Sequence, residues 1–332
     1  MNLSRRLALG AMAAPALAGT AAAQVSTNQA SSAQAWPARP IRVIVPFAAG
    51  GTTDLMTRLI AERLGNPLGQ QVVVENRGGA FGMLGADAVA KAPADGYTLL
   101  GGSPGPMVVN NYVYKSLPYH PERDLCGVCM VASVPYVMAV PTALGVNSVQ
   151  ELIALARSRP SAINFATSGM ASRLTVELFR ALAGGVPMEM VQYRGGTPAR
   201  TDLLANRVQL VIEQAPAFLE DFRAGTLKPL AVGGRQRFRL LPEVPTLQEV
   251  GIAGYEAEAW MGYAAPSGTP MPVRQRLAAE IDRIVKSPEV AERLLSWGSE
   301  PVGGTVEDME RILAEERRRW SEVVRIAGIE KE

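Results

Sequence analysis

Ile41-Arg-Val-Ile-Val45, followed by Pro46-Phe-Ala-Ala-Gly50-Gly-Thr-Thr53 and then Asp54-Leu-Met-Thr-Arg-Leu-Ile-Ala-Glu-Arg-Leu64, is the stretch that decides the fold. The first five residues are a β-branched run short enough for a buried strand. The last eleven place Leu55, Met56, Leu59, Ile60 and Leu64 on one side of a helix. Between them lies a glycine-rich loop, so the stretch reads strand, loop, helix. The pattern then repeats: Gln71–Glu75 is a second strand, glycine-rich residues 78–85 lead into a helix through about Lys91, and Tyr97–Leu100 is a third strand. A β-α-β-α-β unit implies parallel strands joined by right-handed crossovers.

The same rhythm begins again further on. Ser148-Val-Gln-Glu151 reads as a capping box opening a helix to Arg157. Strands are expected at Ile163–Thr167, Met188–Tyr193, Val208–Glu213 and Leu227–Val232, with helices over about 171–183, 197–206 and 216–224 between them. Two α/β units in series predict two lobes. A strand-like run at Glu256–Ala265 then precedes helices near 272–286, 288–296 and from Thr305 to about Ile326. These last helices bring no new strands, so they are expected to pack back on the first lobe. The expected division is 36–136 for the first part of lobe 1, 137–250 for lobe 2 and 251–332 for the completing part of lobe 1.

Composition bounds the function. The chain has 332 residues, 48% hydrophobic and 19% charged, enough for one large or two medium cores. Ser4-Arg5-Arg6, the apolar run Leu7–Gly19 and Ala21-Ala22-Ala23 have the basic start, short apolar stretch and small-residue end of an export signal. Residues 1–23 are therefore expected to be removed near Ala23, by the Sec or the twin-arginine route, leaving the chain in the periplasm. No cysteine stands at that point to carry a lipid, and Val25–Gln34 reads as a flexible lead-in over 24–35. Without the signal, 31 basic residues face 31 acidic ones, a balance that predicts no nucleic-acid or anionic-membrane partner. Cys126 and Cys129 lie in an apolar, strand-like run, Leu125–Val131, where residues three apart point to opposite faces. They are expected to be buried strand residues, neither a disulfide nor a metal site, and no metal or cofactor is expected.

Ligands of open parallel sheets bind beyond the carboxyl ends of strands, where helix starts offer unpaired N–H groups and favour anions. Three loops fit. In the first, Phe47, Ala48, Gly51, Thr52, Thr53 and Asp54 are candidates, although an acid in a first helical turn also serves as cap and dipole partner. The second offers Thr167, Ser168, Ser172 and Arg173, and the third Tyr193, Arg194 and Gly195. Ser103, past the third strand, and Glu213, ending the strand at 208–213, complete the candidate ligand-binding set. Arg173 and Arg194 are the cations placed to pair with a carboxylate. Catalytic groups are scarce. The only histidine, His120, sits in Tyr119-His-Pro121, and neither G-x-S-x-G nor H-E-x-x-H occurs. A binding protein for a small carboxylate is expected, against the alternative of an exported α/β hydrolase or transferase; no catalytic residue is assigned.

At these loops the chain resembles the Bug solute receptors of tripartite tricarboxylate transporters. The resemblance runs through Trp36-Pro-Ala-Arg-Pro40, Val45-Pro-Phe-Ala-Ala-Gly-Gly-Thr-Thr-Asp54, Val74-Glu-Asn-Arg77 and Ala94-Asp-Gly-Tyr-Thr-Leu-Leu100. It continues in Tyr193-Arg-Gly-Gly-Thr-Pro198, Leu241-Pro-Glu-Val-Pro-Thr246 and Ala265-Pro-Ser-Gly-Thr-Pro270. It implies a type II periplasmic binding protein, monomeric, closing like a flytrap on an organic, amino or aromatic acid, and delivering it to membrane permease subunits or a sensor. In the family the loop after the first strand grips a carboxylate, a role that falls on Phe47, Ala48, Gly51, Thr52, Thr53 and Asp54. Two departures stand out. Gly169-Met-Ala-Ser172-Arg173 replaces a commoner Gly-x-Gly-Ser/Thr-His and is one residue shorter, and Glu213-Gln214 replaces a frequent Asp-Asn.

Overall fold

The computed structural model describes residues 36–193 and 196–331; the expected export signal and lead-in lie outside the described residues. Strand β1 (Ile41–Val45) buries Ile41, Val43, Ile44 and Val45 completely. Helix α1 (Thr52–Leu68) lays Met56, Leu59, Ile60 and Leu64 on the sheet and stops at Gly69, whose φ of 66° ends the helix in the left-handed conformation that glycine adopts without cost. Strand β2 (Val72–Asn76), helix α2 (Met83–Ala90) and strand β3 (Thr98–Gly102) complete the unit. β1 lies between β2 and β3 and is parallel to both, with Ile41 opposite Val72 and Arg42 opposite Thr98, as the alternation predicts. All three strands therefore end on one edge, and the loops after them open there.

A π-helical turn at Gly105–Val109 runs into α3 (Asn110–Val113), and α4 (Pro121–Asp124) leads into β4 (Leu125–Pro141). The 17-residue length of β4 exceeds the seven-residue run read from the sequence, and it changes the architecture. Two bulges, at Gly127/Cys129 and Met130/Ala132, bend its first half.

The second sheet collects α5 (Val149–Ser158), β5 (Asn164–Thr167), α6 (Met170–Leu182), β6 (Glu189–Gln192), α7 (Gly196–Leu204), β7 (Val211–Gln214), α8 (Leu219–Arg223) and β8 (Leu227–Val232). β5 and β6 are parallel, and one parallel bridge, Phe165 to Leu210, joins β5 to the residues entering β7. β7 and β8 flank the second half of β4, Tyr136–Pro141, and both run antiparallel to it. This half is thus a mixed sheet. Alternation along β4 serves two cores: Val137 and Ala139 face Ala166, Val211 and Val232, while Met138 and Val140 join Phe165, Ile212 and Leu230.

β9 (Glu258–Pro266) returns to the first sheet, antiparallel between β3 and the first half of β4. It is followed by α9 (Met271–Val285), α10 (Pro288–Ser296), β10 (Glu300–Pro301) and α11 (Val306–Ile326). α11 starts in the capping box read from sequence: Thr305 Oγ1 accepts from the Asp308 N–H, and Asp308 accepts from the Thr305 N–H. α9 covers β4 and α1, as expected. α11 packs on β4 but also on α6 of the second sheet, so the terminal helices are not confined to the first. Cys126 and Cys129 are free thiols on β4, Cys129 fully buried. Among the described residues no helix is long and apolar enough to cross a membrane.

Candidate functional site

The loop Pro46–Gly51 follows β1 at the common edge. Ala48 to Gly51 are exposed, and Phe47, Thr52 and Thr53 are half-buried. Its rear is supported by residues 77–85: the Arg77 N–H donates to Val45 O at 2.8 Å, and a Cβ on Gly85 would stand 2.7 Å from Pro46 Cα. Only glycine permits that approach. Gly51 caps α1 without any side-chain acceptor, so the start of the helix faces the open side of the loop with no acid or hydroxyl closing it.

Asp54 is turned the other way. It is 2% exposed, and its carboxylate accepts from the Gly50 N–H at 2.8 Å, from Arg58 Nε at 3.0 and 3.1 Å, and from Asn76 Nδ2 at 2.8 Å. Asn76 also donates to Phe47 O at 3.2 Å and accepts from Arg58 at 2.8 Å. Burial alone would raise the Asp54 carboxyl, but the bonds from Arg58, Gly50 and Asn76 outweigh it and hold the group below the usual carboxylate range. Asp54 is thus the brace of the loop, its oxygens already occupied. Arg58 and Asn76 were not among the sequence candidates. Arg58 carried a local signal, one helical turn after an acid; Asn76 carried none, since only the β1–β2 register brings it here.

In the second sheet Thr167 is buried at the end of β5, and Ser168 begins the turn into α6. Ser172 Oγ accepts from the Ser168 N–H at 3.1 Å and the Gly169 N–H at 3.2 Å. Glu213, at the end of β7, is 9% exposed and accepts from the Ser168 N–H at 3.3 Å and from the Ser168 hydroxyl. Burial, outweighing these bonds, raises its carboxyl above the ordinary range. Arg173 is half-buried in the first turn of α6. The Tyr193 N–H donates to Thr167 O at 2.9 Å, and its hydroxyl donates to Asp202 at 2.8 Å; burial and that acid push the phenol up to about 12. Arg194 and Gly195 lie outside the described residues. Ser103, nearly buried, follows β3, and the π-helical turn after it packs on α6. Ser168 and Ser172 thus share the start of α6, and Glu213 reaches them from the end of β7.

His120 caps the short α4, its Nδ1 accepting from the Arg123 N–H at 3.4 Å, in keeping with a turn residue. Among the described residues no group of three or more His, Cys, Asp or Glu is gathered to hold a metal ion.

Residues 56–329 match the family model for the tripartite tricarboxylate transporter family receptor. Protein BugT of Bordetella pertussis is 41% identical over 300 residues, 90% of this chain and 92% of BugT. Among solved structures, R. palustris Rpa4515 with adipate aligns with a TM-score of 0.83 at 39% identity, covering 90% of this chain and 100% of that one. MatC from Rhodopseudomonas palustris with bound malate aligns with a TM-score of 0.79 at 30% identity, covering 87% of this chain and 99% of MatC.

Proposed function

We propose, from the premise that this chain belongs to the tripartite tricarboxylate transporter receptor family, that it is a periplasmic receptor capturing a small carboxylate between two lobes and passing it to membrane permease subunits. Its fold is the two-lobed α/β fold of these receptors. One lobe comprises 36–136 and 251–332 and the other 137–250; the change of β4's partners between Pro135 and Tyr136 supports the first of these boundaries. The observation that carries the reading is the braced loop before α1. Asp54, Arg58 and Asn76 fix the backbone from behind, while Ala48 to Gly51 and the uncapped helix start are left to an incoming anion. Phe47, Ala48, Gly51, Thr52 and Thr53 line this grip, and Ser103, Thr167, Ser168, Ser172, Arg173, Tyr193, Arg194, Gly195 and Glu213 complete the pocket. Adipate in Rpa4515 and malate in MatC support a carboxylate as the solute class.

The protein acts as a monomer and performs no chemistry on its solute. A thermal-shift panel of mono-, di- and tricarboxylates and amino acids tests this. A true solute at 100 times its Kd stabilises the fold by about 2.7 kcal/mol without product release. Thr53→Ala lowers affinity modestly and Arg173→Glu more. A panel that leaves the melting temperature unmoved sinks the carboxylate reading, turnover restores the hydrolase or transferase alternative, and unchanged affinity in both variants puts the pocket elsewhere.

A further inference from the structure

The turns before α1 and α6 are not equivalent. Before α1 the Gly50 N–H goes to Asp54, which is drawn back beneath the loop, and no side chain caps the helix itself. Before α6 the Ser168 and Gly169 N–H groups go to Ser172 Oγ, and the Ser168 N–H and hydroxyl go to Glu213. A carboxylate of the chain itself thus stands at the turn before α6. Among the described residues, hydroxyl and N–H groups hold it, and no cation does.

Resting on the receptor reading above, we infer that Glu213 is a specificity residue that makes the far end of the pocket an acceptor, so that the solute has a single carboxylate and ends in a hydrogen-bond donor. The carboxylate goes to the loop before α1, and the opposite end of the molecule offers an N–H or O–H to Glu213. A second carboxylate there meets like charge at a site with no free donor of the Ser168-Gly169 turn to compensate it. Burial already raises the Glu213 carboxyl despite the bonds from Ser168 and Ser172, and another anion beside it adds to that cost.

The test is calorimetric titration of the purified protein with straight-chain diacids of three to eight carbons, each beside its own monoamide, which replaces one carboxylate by an N–H donor of the same size. At the best-held length the monoamide binds about tenfold or more tightly than the diacid, and Glu213→Gln narrows or inverts that preference. Diacids preferred by the wild type at every length overturn the inference while leaving the receptor reading standing. So does a monoamide preference that Glu213→Gln does not change. Should that variant fail to fold, the wild-type comparison decides alone. Binding of neither series at any length overturns this inference, while the carboxylate reading stands or falls with the wider thermal-shift panel.

Discussion

Replacing Asp54 by alanine removes one buried carboxylate and strands three sets of donors. A hydrogen bond to a charged group contributes about 1.5–3 kcal/mol, so the Gly50, Arg58 and Asn76 bonds together set an upper bound of roughly 5–9 kcal/mol. Two features of the structure reduce that figure. The Arg58 side chain is 43% exposed and takes up water when its partner goes, and Asn76 keeps its bond to Phe47 O. A net loss of about 3 kcal/mol follows, the lower end of what breaking a buried charged pair costs. With roughly 2.1 cal/mol/K of unfolding entropy per residue over about 300 residues, this lowers Tm by about 5 °C. Asp54→Asn, which keeps size and one acceptor, loses about half as much. The pH dependence fixes the sign. The folded carboxyl titrates below the ordinary range, so its contribution is fully present above about pH 4, the unfolded value, and disappears as pH falls through the lower folded value. The Tm difference between wild type and Asp54→Asn is accordingly constant at pH 6–8 and shrinks in acid. Calorimetric scans in buffers from pH 3 to 8 measure it. A variant within 1 °C of wild type at pH 7, or a difference that grows in acid, refutes the brace.

Three further outcomes follow from packing. Gly233→Ala places a Cβ 2.7 Å from Ala257 O and costs about 1–3 kcal/mol in urea melts; a neutral result shows that the backbone there yields freely. Glu316 accepts from the indoles of Trp260 and Trp320, both at 2.9 Å, so Glu316→Ala leaves two buried N–H groups without acceptors and costs about 3–5 kcal/mol, whereas Glu316→Gln loses less; equal melting of the two variants contradicts this. Burial, with Asp282 adding to it, pushes the Cys129 thiol up to about 12, so Ellman's reagent finds it silent in the native protein at pH 8 and finds both cysteines after denaturation. Rapid native reaction of both thiols overturns that burial.

Local signals were legible in the sequence and distant pairings were not. The strand–loop–helix at 41–64 and the capping box at Thr305 depend on neighbours in the chain, and their types were readable for that reason. At Ser148 even a local signal was only half right: its hydroxyl accepts from Glu151, but the Glu151 carboxylate reaches the Asn147 N–H. The extent of β4 was hidden because Leu125–Pro141 is apolar almost throughout, so neither its length nor its change of sheet leaves a periodic mark. The candidate site divides in the same way. Ser168 and Ser172 share one helix start and were read together, whereas Glu213 joins them from 45 residues away and Asn76 reaches Asp54 from 22 away.

The connection between the two sheets decides where affinity comes from. They are joined at β4, near Pro135 and Tyr136, and at the return through Gly233, whose N–H donates to Tyr136 O at 2.9 Å and whose carbonyl accepts from Ala257 at 3.0 Å. At Gly233 this joint has no side chain to repack, and α11 adds a helix contact to α6. Both candidate loops, by contrast, are tied down, one from behind by Asp54, Arg58 and Asn76 and the other by Ser172 and Glu213. On the receptor reading proposed above, a solute entering between them orders little that is not already ordered, and the usual entropic cost of fixing binding loops is mostly absent. Affinity then follows the contacts themselves. On the reading proposed above, the loop before α1 attracts any carboxylate, and discrimination between carboxylates falls to the turn that holds Glu213.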